Sequence, residues 1–94
     1  MATIEQHKPH AYPKEEARKK AENLADELKA KLHLEWSWRG DTIDFEAKSG
    51  TAKGVKGTVD VFDKEIVVKI DLPFMLRPLK GMVESKVKAK LDAI

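Results

Sequence analysis

Between Leu34 and Ala47 the apolar residues fall on every second position, and one interruption splits them into two matched halves. Leu34, Trp36 and Trp38 alternate with Glu35, Ser37 and Arg39. Gly40-Asp41 follows, and then Ile43, Phe45 and Ala47 alternate with polar residues. A period of two is the signature of a strand with one buried face. A two-residue turn at Gly40-Asp41 fixes the register: Arg39 faces Thr42, Trp38 faces Ile43, Trp36 faces Phe45 and Leu34 faces Ala47. The last three pairs are apolar on both sides, so turn and pattern agree. The segment reads as an antiparallel hairpin whose two tryptophans look into the core.

A second hairpin obeys the same logic. Val55, Gly57, Val59 and Val61 share one parity, and Ile66, Val68, Ile70 and Leu72 share another. A turn at Asp63-Lys64 opposes Val61 to Ile66, Val59 to Val68, Gly57 to Ile70 and Val55 to Leu72. Phe62 and Val67 then lie on the reverse face, where we expect exposed apolar side chains or a contact with a second copy of the chain. The intervening Lys48–Gly54 is rich in Gly, Ser, Thr and Lys and reads as a mobile connector. Its glycines do not have phosphate-loop spacing.

Helices flank the hairpins. From Pro13 to Leu32 the residues Ala17, Ala21, Leu24, Leu28 and Leu32 recur every three or four positions, with Ala25 beside them. That is one apolar stripe of an amphipathic helix. Pro13 suits the first helical position, and Glu15 and Glu16 complement the helix dipole in the first turn. The pairs Glu15–Lys19 and Glu27–Lys31 have the favourable i,i+4 order, each worth roughly 0.2–0.5 kcal/mol. Near the C-terminus Leu79, Val83, Val87 and Leu91 step by four, with Met75, Met82 and Ile94 near the stripe and lysines outside it. Pro78 is tolerable only in a first turn, so this helix is expected to begin between Phe74 and Arg77. Thr3–Lys8 holds Ile4 alone as apolar weight and reads as an edge strand.

The order is therefore β-α-β-β-β-β-α. Two amphipathic helices and a sheet with one apolar face predict an α+β two-layer sandwich, mostly antiparallel, with both helices on one face. At 94 residues the chain 1–94 is one domain.

Composition narrows function mainly by exclusion. The chain has no cysteine, which removes disulfides, thiolate metal sites and a cysteine nucleophile. With 18 basic and 16 acidic residues, the charges nearly balance and are interleaved along the chain. No nucleic-acid partner is expected on that balance, although the element order bears comparison with double-stranded-RNA-binding domains. No apolar run is long enough to span a membrane, and residues 1–10 lack the apolar core of a signal peptide, so a cytoplasmic protein is expected. His7, His10 and His33 are the only histidines. Two of them close together without a third ligand do not make a metal site, and no metal or other cofactor is expected. Asp41 and Asp44 sit at or just after a turn for conformational reasons, Arg39-Gly40-Asp41 is read as hairpin turn, and Ser37 lacks the flanking glycines of a nucleophile elbow. No catalytic residues are assigned.

Three stretches carry a family resemblance: Glu-Glu-Ala-Arg near the start of the first helix, Leu34-Glu-Trp-Ser-Trp-Arg-Gly-Asp, and Leu-Pro-Phe-Met-Leu-Arg-Pro-Leu-Lys-Gly at 72–81. Together they resemble the polyhydroxyalkanoic acid system family, small bacterial proteins associated with polyhydroxyalkanoate granule genes, over essentially the whole chain. His10 also matches a histidine in that part of the family, whereas the Lys/Gly loop at Ser49–Lys56 is a departure. The resemblance implies a context, storage of carbon as polyester granules, rather than a reaction. The expected function is non-catalytic binding of the polyhydroxyalkanoate granule surface or of a granule-associated protein. The expected surface is the strand-to-helix joint, with Phe74, Leu76, Arg77 and Lys80 outward and Met75 and Leu79 inward. A helix-grip-like binder of a small apolar ligand is the alternative, and a cavity beneath the C-terminal helix is its sign.

Overall fold

In the computed structural model, which describes residues 4–50 and 52–93, five antiparallel strands form one sheet and two helices cover one face of it. The elements are β1 (Ile4–Pro9), α1 (Lys14–Leu32), β2 (Glu35–Arg39), β3 (Thr42–Glu46), β4 (Lys56–Val61), β5 (Glu65–Asp71), a 3₁₀ turn (Phe74–Leu79) and α2 (Lys80–Asp92). Thr3, Ile94 and Thr51, assigned by pattern to the first strand, the last stripe and the connector, lie outside the described residues.

The spatial order is β1-β5-β4-β3-β2, so the two hairpins sit side by side and β1 pairs on the outer edge of β5. Both hairpin registers follow the apolar pattern. Trp38 opposes Ile43 and Trp36 opposes Phe45, while Val61, Val59 and Gly57 oppose Ile66, Val68 and Ile70. Gly40 has φ 64°. A left-handed first central residue gives the turn the twist that matches right-handed strands, and glycine adopts it without steric cost.

Inward residues of every strand and both helix stripes merge into one core. Ala17, Ala21, Leu24, Ala25 and Leu28 come from α1, and Val83, Val87 and Leu91 from α2. The small alanines let α1 lie close on the sheet. Pro13 occupies the N-cap rather than the first helical position, and its carbonyl accepts from the Ala17 N–H at 2.9 Å. At the other end His33 adopts the left-handed conformation, φ 54°, and its N–H caps the Lys29 carbonyl.

Three expectations are corrected. Val67 is not an exposed apolar residue. It is 3 % exposed, because β5 is flanked by β1 and β4, whose His7 and Asp60 stand on either side of it. The Lys48–Gly54 connector is tied down: Ala47 donates to Val55 and accepts from Gly54, and Ala52 is buried. The α-helical geometry of the C-terminal helix begins at Lys80, after a 3₁₀ segment that contains Pro78. A proline nitrogen has no proton for the hydrogen-bond ladder, and its ring excludes the α-helical turn that would precede it.

Candidate functional site: an apolar corner beside a lysine-rimmed cleft

The 3₁₀ turn sets the phase of everything at the joint. In that geometry residues three apart eclipse one another. Leu76 and Leu79 therefore share a face, and Leu76 packs against the core while Phe74 and Met75 project outward. Phe74 is 85 % exposed and Met75 87 %. Leu79 and Met82 are also exposed, so four of the five large exposed apolar side chains among the described residues lie between positions 74 and 82. Arg77 and Lys80 are exposed within the same stretch.

Of the expected surface, Phe74, Arg77 and Lys80 thus lie outward together, and Leu76 does not join them fully. Met75 takes the outward place that the sequence reading assigned to Leu76. An α-helical step of four runs back from Val83 through Leu79 to Met75, and the 3₁₀ turn breaks it, so Leu79, expected inward, is exposed as well. The corner is held from behind. Pro73 is extended (ψ 156°), its carbonyl accepts from the Leu76 N–H at 2.9 Å, and its ring lies against Gly54. Gly54 has φ 96°, and a Cβ there would come within 3.1 Å of the Pro73 ring. The connector loop thereby buttresses the joint, a role that its composition does not reveal.

Behind the corner, between the C-terminal half of α1 and the start of α2, lies a cleft of about 190 Å³. Leu28, Val55, Leu72, Leu76, Met82 and Val83 line it, and Lys31, Lys86 and Lys90 stand around it with Glu27. Lys90 reaches Glu27 at 3.3 Å, an ion pair between the two helices, and among the described residues it takes the place of the Glu27–Lys31 pair expected within α1, which is not formed.

The opposite side of the molecule has the other sign of charge. Strand parity places Glu5, Glu35, Asp44, Glu46, Asp60, Glu65 and Asp71 on the helix-free sheet face with Arg39, Lys56 and Lys69. Arg39 forks onto Asp44 at 2.7 and 3.3 Å and holds its carboxyl below the ordinary carboxylate range. Interleaving in sequence has become segregation in space.

The histidines have structural work. Nδ1 of His10 accepts from the Tyr12 N–H, and its Nε2 lies 2.9 Å from the Phe62 carbonyl, to which it donates in that tautomer. With the His10 N–H donating to Lys64, this residue latches the β1–α1 connection onto the β4–β5 turn. His7 lies 2.8 Å from Glu5 and 3.5 Å from Glu65. Among the described residues no group of three or more His, Cys, Asp or Glu side chains is arranged to hold a metal ion. A contact between copies through Phe62 and Val67 loses one of its two residues, since Val67 is buried. No described helix is long and apolar enough to cross a membrane.

A family model described as "Putative polyhydroxyalkanoic acid system protein" matches residues 4–94, from the first residue of β1 to the end of the chain. The chain belongs to the polyhydroxyalkanoic acid system family. No curated protein and no solved structure matches it significantly. The match spans both parts of the site, so the apolar corner and the cleft belong to the polyhydroxyalkanoic acid system domain itself rather than to an appendage.

Proposed function

We propose that this polyhydroxyalkanoic acid system protein is a non-catalytic component of polyester storage granules that docks on the granule surface through its 3₁₀ corner. The observation that carries the reading is the confinement of exposed Phe74, Met75, Leu79 and Met82 to one corner of an otherwise charged surface. A granule presents apolar polyester beneath an amphiphilic coat, and exposed apolar side chains beside cations are the means by which a small domain enters such an interface. Burying one large apolar side chain is worth roughly 1.5–3 kcal/mol. Phe74 and Met75 together thus supply a reversible association, strengthened where Arg77 and Lys80 meet anionic groups. The 3₁₀ geometry between Pro73 and Pro78 holds these side chains outward before binding, so little conformational entropy is lost on docking. The acidic sheet face supports the same orientation and opposes nucleic-acid binding, because phosphate is repelled there.

The test is co-sedimentation with isolated granules. Phe74→Ser/Met75→Ser removes the two most exposed large apolar side chains without touching the core and is expected to lower the bound fraction at least tenfold. His7→Ala is expected to leave it unchanged. A folded double variant that sediments like the unaltered protein would transfer granule association to a protein partner.

A further inference from the structure

The cleft between α1 and α2 differs from the other grooves of the molecule in its lining, which is mostly apolar. About 190 Å³ stands open against Leu28, Val55, Leu72, Leu76 and Val83, and the exposed side chains of Leu79 and Met82 form its solvent-facing edge. Its wall is predominantly apolar, and a stable water needs two to four polar partners that such a wall does not offer. Its rim is the reverse. Lys90 is engaged by Glu27, but Lys31 and Lys86, on opposite helices, have no acidic partner among the described residues. An apolar slot with two unneutralised cations at its mouth is complementary to a molecule with an alkyl chain and one anionic head.

We propose that this cleft binds a medium-chain aliphatic monocarboxylate, its chain between the helices and its carboxylate on Lys31 and Lys86. Size sets the chain length. A methylene occupies about as much space as a water molecule, roughly 30 Å³, so the cleft of about 190 Å³ admits about six chain carbons with the carboxylate outside at its mouth, and falls short of the roughly 300 Å³ at which drug-sized pockets begin. No hydroxyl or amide side chain lines the cleft, so selection acts on length and head-group charge rather than on substituents along the chain. The site adjoins the docking corner, since Leu79 and Met82 line it, but the two most exposed apolar residues of that corner, Phe74 and Met75, do not.

The experiment is a titration of the whole protein with a series of straight-chain carboxylates, followed by the methyl NMR signals of Leu28, Val55 and Val83. Affinity is expected to rise roughly fourfold per added methylene from butanoate to octanoate and to stop rising by dodecanoate. Octylammonium is expected to bind at least tenfold more weakly than octanoate. Lys31→Gln/Lys86→Gln, two surface changes that leave the core intact, is expected to weaken octanoate at least tenfold and leave 1-octanol unaffected. Val83→Phe, which fills the cleft, is expected to abolish both. Absence of saturable shifts with octanoate overturns the proposal. So does equal loss of octanoate and octanol in the lysine variant, or a response centred on Phe74 and Met75. The Phe74→Ser/Met75→Ser protein separates this site from the docking surface, since it must lose granules while retaining octanoate.

Discussion

Gly57 shows how much a single position can demand. It lies in β4 opposite Phe45 on one side and Ile70 on the other. A Cβ there would collide with the Lys69 carbonyl oxygen and stand 2.7 Å from Cζ of Phe45. The absent side chain makes room for the phenyl ring over the middle of the sheet. Gly57→Ala is expected to cost at least the roughly 1–3 kcal/mol typical of overpacking, because backbone and not only a flexible side chain has to move. Chemical denaturation measures it, and a loss below 0.5 kcal/mol would show that Phe45 swings aside freely. The parity of the strand was readable from sequence, and Gly57 fell on the inward face with the valines. That the glycine is a packing requirement was not readable, since it depends on a ring delivered from the neighbouring hairpin. Val67 teaches the converse. Its parity was read correctly, but burial on an open sheet face comes from side chains on adjacent strands, and a pattern along one strand does not contain them.

At the scale of the element, the first hairpin and α1 form the best-specified unit. Arg18 stacks 3.9 Å from the centre of the Trp38 ring and donates to Asp41 at 2.7 Å and to the Gly40 carbonyl. Lys14 joins Asp41 from the same helix at 2.7 Å. The indole N–H of Trp38 donates to Glu22 at 2.7 Å and that of Trp36 to Asp26 at 3.1 Å. The alternation of residues placed both rings under α1, and the structure agrees, but β2 is the outer strand and leaves them half-buried. Truncating a fully buried aromatic costs about 3–5 kcal/mol. Trp38→Ala is therefore expected at or just below the low end of that range, near 2–3 kcal/mol, with tryptophan emission at intermediate wavelengths that shifts red on unfolding. A fully solvated emission in the folded protein would remove the rings from beneath the helix. The second helix was less legible because Pro78 changes the local period from 3.6 to 3, which moves Met75 outward and Leu76 inward. A stripe read at one period through a change of geometry gives the right helix and the wrong first turn.

For the whole molecule, a few local charge pairs fix how stability responds to pH. The Lys14 ammonium, followed by Arg18, holds the Asp41 carboxyl below its ordinary value, and Arg39 does the same for Asp44. Their stabilising contribution is present above the unfolded carboxylate value, near 4, and is lost as pH falls through the lower folded values. His7 has the opposite sign. Its hydrogen bond to Glu5, assisted by Glu65, raises the imidazole above its ordinary value. That contribution is complete below about 6.5 and disappears as pH rises through the raised folded value. Stability is thus expected to be greatest between roughly pH 5 and 6, with a decline on the acid side and a shallow one on the alkaline side. Both effects are modest, because the groups are about half exposed and solvent screens them. Thermal unfolding followed across pH 2–9 measures the profile, and two variants assign its limbs. Asp41→Asn lowers the plateau and flattens the acid decline, since the carboxylate that titrates there is gone. His7→Gln removes the alkaline slope and the Glu5 share of the acid limb, since the His7 hydrogen bond holds the Glu5 carboxyl below its ordinary value, while the Asp41 and Asp44 shares stay in place. Were the alkaline decline to persist undiminished in His7→Gln, the β1–β5 edge would not be its source, and the response would belong to groups elsewhere on the sheet.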